Sequence, residues 1–255
     1  MAKRKKRSLI RTVIVTIIVL AALSMAAYYL SNYFLKPSFK HYTQYGIDIP
    51  RNYSIHGIDV SKHQGIISWK DVKEMQVQDV KIDFAFIKAT EGISLVDEQF
   101  RRNWFNAEKA GVTKGAYHFF IASKSGKAQA ENFIETVKLE KGDLYPVLDV
   151  EQTNGTSVDV LQQRVADWLL MVEKQYHVKP IIYTNADFYR TFLAGRFDDY
   201  PLWVAHYFVL NKPRIERNWY FWQHNETGHV NGIGTFVDFN VFNGDSILFK
   251  KLLVP

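Results

Sequence analysis

The 255-residue chain contains no cysteine. No disulfide can brace it and no lipid-modified cysteine can tether it, so its stability must come from an ordinary packed core. Metal-binding spacing is also missing. The eight histidines form neither HExxH nor HxH, and His118 and His206 stand singly in strand-like runs. This disfavours a zinc peptidase or amidase. No GxSxG elbow marks a serine hydrolase. No glycine-rich loop succeeds a strand-like run to cradle phosphates, and no motif asks for a cofactor. The body of the chain also lacks net charge. Lys3, Arg4, Lys5, Lys6, Arg7 and Arg11 supply the formal excess of +6 and leave 26 basic residues facing 26 acidic ones. A neutral body gives no support for a nucleic-acid partner.

The basic cluster leads into a run without charge. Thr12 to Leu30, TVIVTIIVLAALSMAAYYL, is nineteen residues long. As a helix it would rise about 28 Å, close to one bilayer core. A cleaved signal peptide has a shorter apolar region, although Ser24-Met25-Ala26 offers a weak small-residue cleavage site. The expectation is a single-pass anchor over 12–30. By the positive-inside rule, residues 1–11 are cytoplasmic and the rest lies outside, periplasmic or on the cell surface. Residues 31–53 show no clear period and contain Pro37 and Pro50, and read as a juxtamembrane linker. At full extension it would span about 80 Å.

From about residue 54 onward, β-rich runs alternate with helical patterns. The runs are IHGIDVS (55–61), DFAFIKAT (83–90), KGAYHFF (114–120), YPVLDVE (145–151), PIIYT (180–184), PLWVAHY (201–207), YFWQHN (220–225) and FVDFNVF (236–242). Val160, Leu161, Val165, Trp168, Leu169, Val172 and Tyr176 recur at helical spacing, and shorter helices are marked by Phe100, Trp104 and Ala107 and by Ala130, Phe133, Ile134 and Val137. Strand–helix alternation predicts a largely parallel sheet with crossover helices. Eight strands in about 200 residues predict a small (β/α) barrel, with an open doubly wound sheet as the alternative. Little room remains for helices between residues 207 and 236.

In such barrels the site forms at the C-terminal strand ends. Asp59 closes the first run, Asp149 and Glu151 close the fourth, and Asp238 lies in the last. Closure puts the first and last strands side by side, so Asp59 and Asp238 become neighbours with Asp149 and Glu151 across the mouth. Singly, a strand-end acid is often a helix cap or turn former. Asp149 and Glu151 are harder to explain that way, because residues two apart on a strand share a face, about 6.6 Å along it. Lys88, in FIKATEG, is a candidate ion-pair partner for them and a candidate substrate contact. Paired carboxylates suit glycoside hydrolysis, in which one acid protonates the leaving oxygen and a second negative group faces the developing oxocarbenium ion. Mutual repulsion would keep one of the two protonated. Tyr117, Tyr183, Trp203, Tyr207 and Trp222 fall on strand ends where rings stack on sugars, and Gln223 and Asn240 are candidate hydrogen-bonders to hydroxyl or acetamido groups.

The runs HGIDVSKHQG, FAFIKATEG, GAYHFF, PVLDVE, PIIYT, LWVAHY, WQH and VDFNVF, in this order and spacing, resemble glycoside hydrolase family 25 over about residues 55–245. These are the Chalaropsis-type lysozymes, or N-acetylmuramidases. The resemblance implies an α/β fold, a modified (β/α) barrel of about eight strands and fewer than eight helices, occupying residues 54–255. It implies hydrolysis of the β-1,4 bond between N-acetylmuramic acid and N-acetylglucosamine in peptidoglycan. Carried over by motif, Glu151 is the general acid, Asp149 its charged partner, and Asp59 and Asp238 complete the acidic floor. Nucleophilic attack and a substrate-assisted route through the acetamido group both stay open. So do a non-catalytic peptidoglycan-binding tether and a different N-acetylhexosamine polymer as substrate.

Overall fold

The computed structural model describes residues 14–26, 38–209 and 211–255, in two units, Met1–Ser38 and Phe39–Pro255. In the first unit residues 14–26 form a helix, α1, whose apolar side chains are exposed. Its thirteen residues rise about 20 Å. No helix among the described residues is long and apolar enough to cross a membrane. The expected span over 12–30 is therefore not shown as a transmembrane helix. Its two ends, together with residues 1–11 and 31–37, lie outside the described residues.

The second unit begins earlier than expected. Phe39–Tyr42 (β1) and Ile47–Pro50 (β2) form an antiparallel hairpin. Tyr42, Tyr45, Ile47 and Ile49 are buried in the main core, and the Tyr45 hydroxyl donates to the Val80 carbonyl at 3.2 Å. Residues 39–53 are thus part of the folded body rather than linker. Strands of four residues are too short to display a period, which is why the sequence reads as featureless there.

The body is a closed eight-stranded barrel. Its strands are His56–Val60 (β3), Val80–Glu91 (β5), Thr113–Phe119 (β7), Val147–Asp149 (β8), Ile181–Asn185 (β9), Leu202–Ala205 (β10), Phe221–Gly228 (β11) and Val237–Phe242 (β12). They pair in the order β3-β12-β11-β10-β9-β8-β7-β5, and β5 closes onto β3. All pairings are parallel except those of β12, which runs antiparallel to both β11 and β3. Gln76–Val77 (β4) and Leu95–Val96 (β6) are short additions to β5. The eight expected runs all appear as barrel strands.

Helices succeed the early strands: Trp69–Glu74 (α2), Phe100–Lys109 (α3), Gly126–Thr136 (α4), Val158–Tyr176 (α5) and Ala186–Phe188 (α6), with Ser246–Lys250 (α7) at the end. Of these, the sequence reading marks α3, α4 and α5, and the short α2, α6 and α7 are additions. The expected apolar stripe of α5 is buried through Leu161, Val165, Trp168, Leu169 and Val172, and Ser157 caps it by accepting from the Val160 amide. No helix lies directly after β10 or β11 among the described residues.

Both faces of the strands are buried, so they read as continuous apolar runs. Ala85, Ile87, Leu148 and Val204 belong to the core that includes the helices, whereas Phe84, Phe86, Val147, Ile181, Trp203, Phe221 and Phe242 form a second cluster. This second cluster fills the lumen. Gly57 and Gly115 make room for its rings. A Cβ at Gly57 would lie 2.4 Å from Phe84, and one at Gly115 2.8 Å from Phe86. At the foot, Phe249 of α7 packs edge-on or tilted against Phe84, Phe221 and Phe242. The lumen is therefore a plugged cup, open only at the C-terminal strand ends.

Candidate active site

The cup's mouth is a cleft of about 470 Å³ lined by Asp59, Asp149, Glu151, Asp238, Lys88, Tyr117, Tyr183, Trp203, Tyr207 and Gln223. Strand alternation places them there. Asp59 and Asp238 are register partners in the β3–β12 ladder. Asp149 is the last residue of β8, paired with Tyr183 of β9, and Glu151 lies two residues beyond the strand. All four predicted acids converge on one cleft.

Asp59 is the best-held carboxylate. Its Oδ2 accepts from Gln223 Nε2 at 2.8 Å and from Asn240 Nδ2 at 2.7 Å. Burial raises its pKa, while these two donors and Asp238 pull the other way. Asp238 is pushed up to about 9, first by burial, then by the Asp59 charge, and the hydrogen bond to Asp59 adds to the rise. At neutral pH it is a protonated acid donating to the Asp59 carboxylate.

Gln223 ties this floor to the aromatics. Its Oε1 accepts from the Tyr183 hydroxyl at 2.7 Å and from the Tyr207 hydroxyl. Trp203 Nε1 donates to Asn240 Oδ1 at 2.8 Å, and its ring stacks on Phe86 at 4.4 Å between centroids. Each of these polar groups is satisfied by another, as a buried network requires.

The second pair is less well satisfied. Asp149 is buried and its Oδ1 has no hydrogen-bond partner. Burial, then the Glu151 charge, hold its pKa well above the carboxylate range, and Lys88 opposes them. Glu151 is also raised, by burial and then by Asp59, with the neighbouring Tyr183 hydroxyl pulling the other way. Both members of the pair are thus raised, Asp149 as well as Glu151. Burial, more than mutual repulsion, drives both shifts, and Asp149 is the deeper group because it still lies within the strand. Four carboxyls so close titrate as a set rather than singly.

Two further expectations change. Asn240 is buried beneath the floor, with its amide engaged by Asp59 and Trp203, and does not line the cleft. Trp222 points outward from the barrel, against Phe39, Tyr53 and Trp219, with its Nε1 donating to the His206 carbonyl at 2.9 Å. Lys88 lines the cleft, but its ion pair is with Glu91 at 2.7 Å, and its ammonium sits 4.8 Å from the Phe119 ring centre.

Sequence reasoning passed over Ser61, His63, Gln64, Phe119 and Glu226, which also line the cleft. A signal existed for the first three. Ser61 and Gln64 form a capping box, with Ser61 accepting from the His63 amide and Gln64 Oε1 from the Ser61 amide. Gln64 Nε2 then donates to the Phe236 carbonyl, which ties this turn to the start of β12. The single histidines are structural. His118 lies buried between Thr90, Gln129 and the Trp168 ring, with its pKa pushed down to about 3 by burial. His206 Nδ1 accepts from the Arg214 amide.

The sequence profile described as Glycosyl hydrolases family 25 matches residues 58–233. The chain belongs to glycosyl hydrolase family 25. YegX of Escherichia coli (strain K12) is 50% identical over 200 residues, covering 78% of this chain and 74% of YegX. Lysozyme M1 of Streptomyces globisporus is 34% identical over 208 residues, covering 75% of this chain and 69% of its own. Among solved structures, a family 25 glycosyl hydrolase from Bacillus anthracis superposes with a TM-score of 0.74 at 32% identity, covering 83% of this chain and 99% of that one. The bacterial lysozyme from Streptomyces coelicolor gives 0.71 at 33% identity, with coverage of 79% and 98%. This family 25 protein is thus a glycoside hydrolase of the lysozyme type, whose members hydrolyse peptidoglycan.

Proposed function

We propose that this family 25 hydrolase cleaves the β-1,4 bond between N-acetylmuramic acid and N-acetylglucosamine, with Glu151 as the general acid. The observation that carries this reading is the gradient of exposure across four converging carboxyls. Glu151 is the member of the Asp149 and Glu151 pair that stands beyond the strand end, half-buried, with a raised pKa. Its raised pKa favours the protonated form, and its place beyond the strand end lets it reach a glycosidic oxygen. Asp59, fixed by two amide donors and by protonated Asp238, supplies the negative charge facing the oxocarbenium ion. Asp149 keeps an unpartnered oxygen that suits the substrate acetamido group. Tyr117 and Tyr207, both part-exposed, offer ring surface to the sugar, with Trp203 buried behind them. Digestion of purified peptidoglycan tests the bond assignment. Products with muramic acid at their reducing ends support it; products ending in N-acetylglucosamine, or binding without new reducing ends, overturn it.

We propose further that the protein is a single-pass membrane protein anchored through residues 12–30, with its catalytic body outside the cytoplasm. The uncharged run and its basic flank support this reading. Because the folded body starts at Phe39, only eight residues separate it from Leu30, a reach of about 28 Å instead of about 80 Å. That confines hydrolysis to wall close to the membrane. Fractionation with alkaline extraction tests it. A protein recovered soluble and processed near Ala26 contradicts it.

A further inference from the structure

The barrel foot carries a surface that catalysis does not use. The segment leading into β8 is stitched to the C-terminal segment. Gly142 N donates to the Val254 carbonyl at 2.9 Å, Tyr145 N to Leu252 at 2.9 Å, and Val254 N to Asp143 at 2.8 Å. Between these segments lies a groove of about 460 Å³ lined by Lys141, Lys250, Lys251, Tyr145 and Leu253. Ile247, 69% exposed, shares the α7 face with Lys250 and Lys251 at helical spacing. The three lysines are exposed and form no ion pair among the described residues. Pro255 also lines the groove, and its terminal carboxylate offsets one of the three charges. The other nearby acids are occupied or set aside. Asp143 is buried against Lys114 at 2.5 Å, Asp245 caps α7 by accepting from the Leu248 amide, and exposed Glu140 does not line the groove.

Three ammonium groups beside exposed apolar side chains match an anionic bilayer surface, where phosphates meet the acyl boundary. Chain length adds a second argument, which rests on the anchor reading above. Eight residues keep the body within about 28 Å of the membrane exit, so one of its faces must lie near the headgroups. Phe39, where the body begins, packs 5.9 Å from Trp222, the second residue of β11, near the foot end of that strand. We infer that the foot rests on anionic lipid headgroups and so points the mouth away from the bilayer, toward the wall.

The test is amide hydrogen exchange of the full chain reconstituted in phosphatidylcholine vesicles with and without phosphatidylglycerol. The expected result is slowed exchange in residues 141–145 and 246–255 only with phosphatidylglycerol, at a level of about fivefold per lysine, reversed by high salt. The triple variant K141E/K250E/K251E should lose the protection while digesting solubilised peptidoglycan at the wild-type rate. The salt arm needs no variant, so a folding defect in the variant does not shield the idea. Equal protection in both vesicle types, none in either, or protection that appears only on adding peptidoglycan overturns it. Protein released from the vesicles by alkaline extraction would instead refute the anchor, and this inference with it.

Discussion

The mouth and the foot of the barrel are built by the same eight strands and solve opposite problems. At the foot, Phe84, Phe221, Phe242 and Phe249 meet ring against ring. Burying such a side chain contributes about 1.5–3 kcal/mol. At the mouth, the same alternation turns four carboxyls into one cleft, raises all four above their ordinary range and leaves an Asp149 oxygen without a partner. Such groups oppose folding, and they stay in place because the foot holds the strands. Stability and chemistry are thus separated along the strand axis, within a few residues of each other.

Substitutions at the two ends should behave differently. The largest expected effect is at the foot: Phe249→Ala should lower unfolding free energy by about 3–5 kcal/mol in a denaturant titration. Whatever protein stays folded should cut peptidoglycan normally. At the mouth, Asp149→Asn should slow hydrolysis by about 10²-fold while its melting temperature holds or rises, since the lost oxygen had no partner. A fall in stability as large as that of the Phe249 variant would erase the distinction. Between the two ends, Asn240→Ala removes a donor to Asp59, so it should cost about 1–3 kcal/mol. It should also move the acid limb of the rate profile to higher pH, because Asp59 then ionises less readily.

The smallest expected effect is a slope. Asp238 binds its proton more tightly folded, with its pKa pushed up to about 9, than unfolded. Its contribution is full below the ordinary carboxylate range and is lost as pH rises toward about 9. The melting temperature should fall with pH across that window, and Asp238→Asn should make the fall shallower. An unchanged slope in that variant would contradict the protonated Asp238.

Much of this contrast was readable before the fold. FAFIKAT, PVLDV, PIIYT and LWVA are dense in apolar and aromatic residues and bounded by turns or helices, and each became a barrel strand. The acids were visible because charge is conspicuous in such runs. What the runs hide is direction. Where both strand faces are buried, hydrophobic alternation disappears, and nothing local tells Trp203, which faces the cleft, from Trp222, which faces outward. For the same reason Asn240 could not be placed beneath the floor instead of in the cleft. The relative depth of Asp149 and Glu151 depends on where β8 stops, and strand ends are poorly marked in sequence. The β1–β2 hairpin escaped because four-residue strands carry too little pattern.

The central claim is that Glu151 delivers the proton at a mouth whose fold does not depend on that proton. Comparing Glu151→Gln with the wild type on the same peptidoglycan, with a melting curve for each, measures this directly. The account predicts a loss of about 10²–10⁴-fold in release of muramic acid reducing ends, at an equal or higher melting temperature. Wild-type release by the Glu151→Gln protein would contradict it.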